Sequence, residues 1–418
     1  MSRLRPVRGT HDLFGEPLRR QRRVIDTGRR LATRYAFEEV VTPIFEFTEV
    51  FARTLGETSD VVTKEMYTFE DRGGESLTLR PENTASIVRA VVSAGLLQSL
   101  PVKFFYAGPM FRYERPQKGR LRQFHQIGVE VIGAPEPRAD VEVILLGRHI
   151  LEELGIADRV TLELNTLGDL ESRRAYRDTL VAYLRGHRDR LSADSLLRLE
   201  RNPLRILDSK DPGDREVIAE APLFEEYLNA RSRAFFAEVR QALEDLGVPF
   251  TVNPRLVRGL DYYTHTAFEF TTEALGAQGA VIAGGRYDGL MKTMGGPDVP
   301  GVGWAAGVER LAMLLPEAPP APRPTALIPI GEEAVREAWK LADRLRRAGF
   351  VVELAYRGKP GQRMKRADRL GCRFALSLGE DELARDVLRL RDLDSGEERE
   401  VGREDLLATL AELGAARA

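Results

Sequence analysis

Cysteine is almost missing: Cys372 stands alone among 418 residues. A single thiol excludes an intramolecular disulfide and any multi-cysteine zinc site, and it suits a reducing compartment. Long apolar runs are missing too, and no stretch of about eighteen such residues reads as a membrane span. The basic start MSRLRPVRGTHDLFG is not followed by an apolar run, so it does not read as a signal peptide. These absences predict a soluble cytoplasmic protein with no membrane partner. Neither sign of charge dominates: 62 Lys and Arg face 64 Asp and Glu, for a formal net charge of −2. A nucleic-acid partner would therefore have to be met by local basic patches.

Several catalytic signatures are also missing. There is no GxxxxGK[ST] loop, so a nucleotide is not held in that way. The glycines of GVGWAAGVER (301–310) lack the dinucleotide-binding spacing, and no GxSxG elbow occurs. His11, His125, His149, His187 and His265 form no HxxxH or HExxH pair, so no protein-bound metal is expected.

What is present is an ordered alternation of elements. PLRRQRRVIDTGRRLATRYAF reads as a long helix and EEVVTP (38–43) as a strand. Further strands are expected at MYTFED, SLTLRP, KFFYAGPMFRYE, RQFHQIGVEVIG, TLELNT, TAFEFTT and GAVIAGGRY, with helices between them. That is an α+β, largely antiparallel sheet. A helical block over about 170–247 interrupts it, with Tyr176, Leu180, Tyr183 and Leu184 at helical spacing. Five prolines between Pro316 and Pro324 make a stiff linker, expected over 319–325. Beyond it, strands and helices alternate as in an α/β domain. The expected division is 1–318 (with the insertion), the linker at 319–325, and 326–418.

Four stretches carry chemistry. MFRYERPQKGRLRQFHQIGVEV sets Arg112, Arg115, Lys118, Arg120 and Arg122 around Glu114, Gln123 and Gln126. Gln126, Gly128 and Glu130 alternate, so they share one sheet face. An arginine beside an amide and a carboxylate there describes either a polar pocket or an exposed face with ordinary ion pairs. TLRPENTAS places Arg80, Glu82 and Thr84 where Pro81 ends a strand, and Asn83 or Thr84 could cap the next helix. LVRGLDYYTHTAFEF brings Arg258 and Asp261 into a glycine-containing turn before Tyr262 and Tyr263. PGVGWAAGVERLAMLL leads a glycine-rich strand into a helix bearing Glu309 and Arg310. Glycines permit close backbone approach and an arginine there suits a phosphate.

These stretches resemble a known family. FRYE is similar to motif two of the class II aminoacyl-tRNA synthetases, GVGWAAGVER to motif three, and the helix and strand ending at Pro43 to the dimer-forming motif one. LVRGLDYYTHTAFEF and AGGRYDGL resemble the two signature peptides of histidyl-tRNA synthetases. ERPQKGRLRQFHQIGVEVIG, NPLRILDSK and MKRADRLGCRFALSLGEDEL are similar to the same family. The likeness runs over nearly the whole chain.

The resemblance implies a class II antiparallel-sheet catalytic core with a helical insertion, followed by an α/β anticodon-binding domain. It implies a homodimer that activates histidine with ATP and Mg²⁺, then transfers it to tRNA(His). Arg112 would bind the α-phosphate and the histidine carboxylate, and Arg258 would sit by the α-phosphate; these are the catalytic pair. Glu114 would meet the adenine amino group and Phe124 would stack on the ring. Arg120 and Arg310 would hold the β- and γ-phosphates. Glu82, Thr84 and Gln126 would hold the substrate amino group, and Glu130, Tyr262 and Tyr263 the imidazole. Arg115, Gln117 and Lys118 at the loop tip, with Arg363, Lys365 and Arg366 in the last domain, would meet tRNA. The chemistry agrees: attack of a carboxylate on an α-phosphate needs positioning and charge stabilisation rather than a side-chain nucleophile. Asn83 stands where the family usually has glycine, at a turn where asparagine tolerates the left-handed region. Two alternatives have other signatures. A non-catalytic paralogue regulating histidine biosynthesis would lose ATP- and tRNA-handling residues and the last domain. A synthetase for another amino acid would lack Glu130 and the Tyr262–Tyr263 pair.

Overall fold

The computed structural model describes residues 4–55, 61–257 and 262–417. The chain divides into two compact units, residues 1–319 and 320–418.

The first unit contains, in chain order, strands β1 (Glu38–Glu39), β2 (Phe45–Phe47), β3 (Tyr67–Glu70), β4 (Ser76–Leu79), β5 (Val102–Phe111), β6 (Gln123–Ile132), β7 (Thr161–Thr166), β8 (Thr251–Val252), β9 (Thr264–Thr271), β10 (Ala280–Arg286) and β11 (Gly301–Gly307). Its helices are α1 (Glu16–Arg34), α2 (Thr48–Leu55), α3 (Thr84–Ser93), α4 (Pro137–Glu153), α5 (Leu170–Gly186), α6 (Ala193–Arg201), α7 (Pro212–Ala219), α8 (Ala230–Asp245), α9 (Leu290–Thr293) and α10 (Val308–Leu314). The large sheet runs β1-β5-β6-β11-β10-β9-β7-β8. It is antiparallel from β5 through β7, and the short edge strands β1 and β8 pair parallel.

The pleat sorts the two faces. On β6, Ile127, Val129 and Val131 enter a core with α1, α4, α8 and α10, supplied by residues such as Val24, Ile144, Val239 and Leu311. Gln126, Gly128 and Glu130 face the opposite side, where Phe104, Tyr106 and Met110 pack against α3 and α9. That second face carries the cavity described below.

The helical block does not act as one body. Tyr176, Leu180 and Leu184 of α5 form a separate apolar cluster with α6, α7 and the following turns, ending at Leu228. Phe236, Val239 and Leu243 of α8 instead join the core under the large sheet. The helix expected to close the insertion therefore belongs by packing to the sheet layer.

The expected strand over 38–43 contracts to two residues, because Thr42 turns inward and its carbonyl and hydroxyl accept from Arg80 Nη1 at 3.1 and 3.0 Å. A small three-stranded sheet, β2-β4-β3, follows; its β2 strand was not anticipated.

The second unit has a five-stranded sheet ordered β13-β12-β14-β15-β16, from β12 (Thr325–Pro329), β13 (Val352–Leu354), β14 (Phe374–Leu378), β15 (Val387–Asp392) and β16 (Glu398–Gly402). Helices α11 (Glu332–Arg347), α12 (Pro360–Arg369), α13 (Glu380–Ala384) and α14 (Leu406–Glu412) complete it. The parallel triad β13-β12-β14 is the α/β pattern expected, with an antiparallel β15–β16 hairpin added. No helix among the described residues is long and apolar enough to cross a membrane.

Candidate active site

A cavity of about 590 Å³ opens on the second face of the large sheet. Its floor is built by a close approach of strands. Glu130 of β6 lies opposite Gly303 of β11, and a Cβ at Gly303 would stand 1.9 Å from Glu130 Oε2 and 2.2 Å from the Val129 carbonyl. Gly128 likewise leaves room for the Tyr106 ring. The glycines are there because the carboxylate and the ring need their space.

Glu130 is buried, at 1% exposure. It accepts from the Thr84 hydroxyl at 2.7 Å and the Tyr287 hydroxyl at 2.5 Å. Burial raises its pKa to about 8, although both hydroxyls favour the charged form. Glu82 is equally buried and turns its carboxylate onto the first turn of α3, accepting from Thr84 N at 2.7 Å and Ala85 N at 3.0 Å. The helix is thus capped by Glu82, where the sequence had offered Asn83 or Thr84. Asn83 sits at φ −115° and takes no left-handed conformation, so its turn makes no demand for glycine. Its Oδ1 accepts from Thr42 and Arg80 instead. Gln126 Oε1 is buried beside these groups, and no donor among the described residues reaches it.

Tyr262 and Tyr263 stand over the floor with ring centroids 4.6 Å apart, and Tyr262 meets Tyr287 edge-on at 5.9 Å. A bulge sets their direction. The β9–β10 register shifts between Gly285 and Arg286, where His265 takes φ +41°. A histidine in that region is uncommon and costs of order 1 kcal/mol. His265 is held by hydrogen bonds of 2.7 and 2.6 Å to the backbone of Gly168 and Leu167 and by stacking on Phe235. From the helical block, Arg173 Nη1 reaches the Tyr263 carbonyl at 2.7 Å.

The mouth of the cavity is cationic. Arg112 extends the end of β5, donates to the Pro81 carbonyl at 2.9 Å, and lies 5.4 Å over the Phe124 ring. Arg310 begins α10 and donates to the carbonyls of Gly119 (3.0 Å) and Ala280 (2.8 Å), which ties the hairpin loop to the third motif. Burial, then the charges of Arg112 and Arg120, depress the basicity of Arg310. Three guanidinium groups close enough to disfavour one another make a site for a multiply charged anion. Arg120 is ion-paired to the buried Glu114. Glu65 adjoins that pair, and burial and then the Glu114 charge push its carboxyl up. Glu309 accepts from the His125 backbone N–H at 3.0 Å.

Of the residues singled out from the sequence, Glu82, Thr84, Arg112, Glu114, Arg120, Phe124, Gln126, Glu130, Tyr262, Tyr263 and Arg310 all line this one cavity. Arg258 lies outside the described residues. Arg115, Gln117 and Lys118 are exposed at the hairpin tip, away from the cavity lining. In the second unit, Arg363 donates to the Pro329 carbonyl and Arg366 pairs with Glu353, both at 2.7 Å, while Lys365 is exposed. Tyr287 and Glu65 line the cavity but were missed. Tyr287 stood in plain view within AGGRYDGL; no periodicity distinguished it.

Residues 9–311 match the family model described as histidyl-tRNA synthetase. The chain belongs to the histidyl-tRNA synthetase family. Residues 325–413 match the model of an anticodon binding domain. The chain is 62% identical to the histidine–tRNA ligase of Rhodospirillum rubrum over 403 residues, covering 96% of this chain and 97% of that one. The apo histidyl-tRNA synthetase of S. aureus superposes with a TM-score of 0.82 at 35% identity, over 97% of this chain and 99% of that one. A Bacillus halodurans protein described as an ATP phosphoribosyltransferase regulatory subunit/histidyl-tRNA synthetase has a TM-score of 0.62 at 23% identity, over 84% and 92% of the two chains, and shares the fold. Like other members of the synthetase family, the chain combines a class II catalytic region with an anticodon-binding region.

Proposed function

We propose that the cavity joins histidine to ATP and then to tRNA, as a histidine–tRNA ligase. The observation that carries this is the buried Glu130, flanked by tyrosines, at the floor of a cavity whose mouth holds Arg112, Arg120 and Arg310. A neutral imidazole has one donor and one acceptor. Glu130 would accept from the first, and a hydroxyl of the Tyr262–Tyr263 pair would donate to the second. Gln126 Oε1, with Glu82 and Thr84, would receive the ammonium group.

The substrate carboxylate then faces Arg112. One of its oxygens attacks the α-phosphorus, the bond to the bridging oxygen breaks, and pyrophosphate leaves. Arg112 stabilises charge at that phosphorus, and Arg258 is assigned the same task. Arg120, released from Glu114, and Arg310 hold the departing pyrophosphate, whose Mg²⁺ arrives with ATP as part of the substrate. Glu114 and Phe124 take the adenine. In the second step a ribose hydroxyl of the tRNA end attacks the acyl carbonyl and AMP leaves. Arg115, Gln117 and Lys118 at the hairpin tip would guide that end.

We read 1–318 as the catalytic domain, 319–325 as a linker, and 326–418 as the tRNA-binding domain. We also read the protein as a cytoplasmic homodimer. The open apolar face of β2-β4-β3, with Phe45, Phe47 and Phe69 exposed, supports the pairing. Full-length similarity to histidine–tRNA ligases and the presence of the anticodon-binding region favour the catalytic reading over the regulatory one.

The test is ATP–pyrophosphate exchange with each of the twenty amino acids. Exchange with histidine alone is expected. Exchange with another amino acid would move the pocket assignment, and none from folded protein that binds histidine would restore the regulatory reading.

A further inference from the structure

The second unit carries an aromatic pair that its core does not use. Trp339 of α11 is 47% exposed and Tyr356, just beyond β13, is 87% exposed. Their rings lie 28° from parallel with centroids 6.5 Å apart. α11 buries Ala334, Ala338, Leu341, Ala342 and Leu345, so Trp339 lies off the face that packs on the sheet. A solvated helix flank has no need of an indole.

Several cations lie close to the pair in sequence. Arg336 lies one helical turn before Trp339, on the same side of α11. Arg357 follows Tyr356, and Lys359 and Lys365 belong to the next helix and its start; all four are exposed. No ion pair among the described residues neutralises these four. Of the carboxylates nearby, Glu337 pairs with Lys340 and Arg403, and Glu353 with Arg366, while Glu332 and Glu333 are exposed in the first turn of α11.

Exposed ring faces among cations suit one class of ligand. Unpaired bases stack on aromatic side chains while the phosphates between them meet Lys and Arg. A base-paired stem offers the phosphates but no free base face. We propose that Trp339 and Tyr356 form the stacking platform for unpaired bases of the tRNA anticodon loop, with Arg336, Arg357, Lys359 and Lys365 holding the adjoining phosphates. This rests on the reading of the second unit as the tRNA-binding domain and names the residues that would do it.

The experiment uses the full chain and a tRNA(His) transcript. Trp339→Ala and Tyr356→Ala should each raise the KM for tRNA about tenfold, within the range that base–aromatic stacking supports. ATP–pyrophosphate exchange should be unchanged. Trp339→Phe and Tyr356→Phe should retain most of the tRNA affinity, because a ring face remains. Trp339 fluorescence should be quenched by an isolated anticodon stem–loop and not by a blunt duplex of equal length. The buried Trp304 is the only other indole, so the quenching should vanish in Trp339→Phe. Unchanged tRNA KM in both alanine variants, or equal quenching by the duplex, would overturn the platform. A Lys359→Ala/Lys365→Ala double variant separates the two levels. If it weakens charging while the ring variants do not, the platform alone is wrong; if neither weakens charging, the tRNA-binding reading of this unit goes with it.

Discussion

Glu130 is buried with two hydroxyl donors and, among the described residues, no cation bonded to it, and its carboxyl is pushed up to about 8. The folded protein therefore holds this proton at pH values where the unfolded chain has lost it. The contribution of Glu130 to stability is unpenalised below about pH 4.5, falls as pH rises, and levels off above about 8, a total on the order of 5 kcal/mol. Denaturant titrations should show wild type losing more stability between pH 5 and 8.5 than Glu130→Gln does. The same titration governs the substrate. A neutral imidazole needs the carboxylate form, so the Kd for histidine should fall about fivefold between pH 7 and 8 as the competent fraction grows. Calorimetry should find this slope in wild type and a weaker, flat dependence in Glu130→Gln; a flat wild-type profile would sink the assignment. At this scale the sequence was informative where a side chain's position follows from the pleat. Gln126 and Glu130 alternate, and they share the cavity face. Tyr287 was missed because it is brought to Glu130, 157 residues earlier, only by the sheet register. Arg363 and Arg366 read as free basic residues because nothing local foretold the Pro329 carbonyl and Glu353 as their partners.

Among elements, β11 is the one whose sequence is fixed most tightly by its neighbours. Gly301 leaves space for the Tyr287 ring, and Gly303 for Glu130 and the Val129 carbonyl. An alanine at 303 cannot be accommodated by one flexible side chain, because a backbone oxygen stands in the way. Gly303→Ala should destabilise the first unit by about 1–3 kcal/mol or more, as overpacking does. It should also weaken histidine binding far more than ATP binding, since Arg112 and Phe124 lie elsewhere. Equal losses for both ligands in equilibrium titrations would mean general collapse of the sheet. Most elements were legible from period and punctuation. Thr161–Thr166 forms the strand its sequence announces, and α1 runs from Glu16 to Arg34 close to the expected span. Elements set by distant partners were not. The strand at 38–43 stops after Glu39 where Thr42 turns to Arg80, and α8 joins the sheet core although its local pattern matches the helices before it. The bulge at His265 had no local sign, since it depends on the register of β10.

At the scale of the whole molecule, the outer face of β2-β4-β3 is an apolar surface left open. Its polarity is reversed. Glu46 of β2 points inward to Arg89, and Thr68 and Thr78 share hydroxyl hydrogen bonds on the same side. The opposite face carries two cross-strand rows, Phe45–Leu79–Tyr67 and Phe47–Leu77–Phe69. Phe45, Phe47 and Phe69 are all substantially exposed, with Val41 and Ile44 exposed just before β2. A sheet that turns Glu46 inward and its aromatics outward is built to be covered, and a second copy offering the same face would cover it by isologous pairing. Phe47→Glu places a carboxylate in the middle of one row, and symmetry places two at the interface. Sedimentation equilibrium should then find a dimer in wild type and a monomer in Phe47→Glu. Arg399→Gln, the same change of one negative unit at an exposed position in the other unit, should leave the dimer intact. Loss of association in both variants would point to net charge rather than to this face. A wild-type monomer at micromolar concentration would require some other molecule to cover these aromatics.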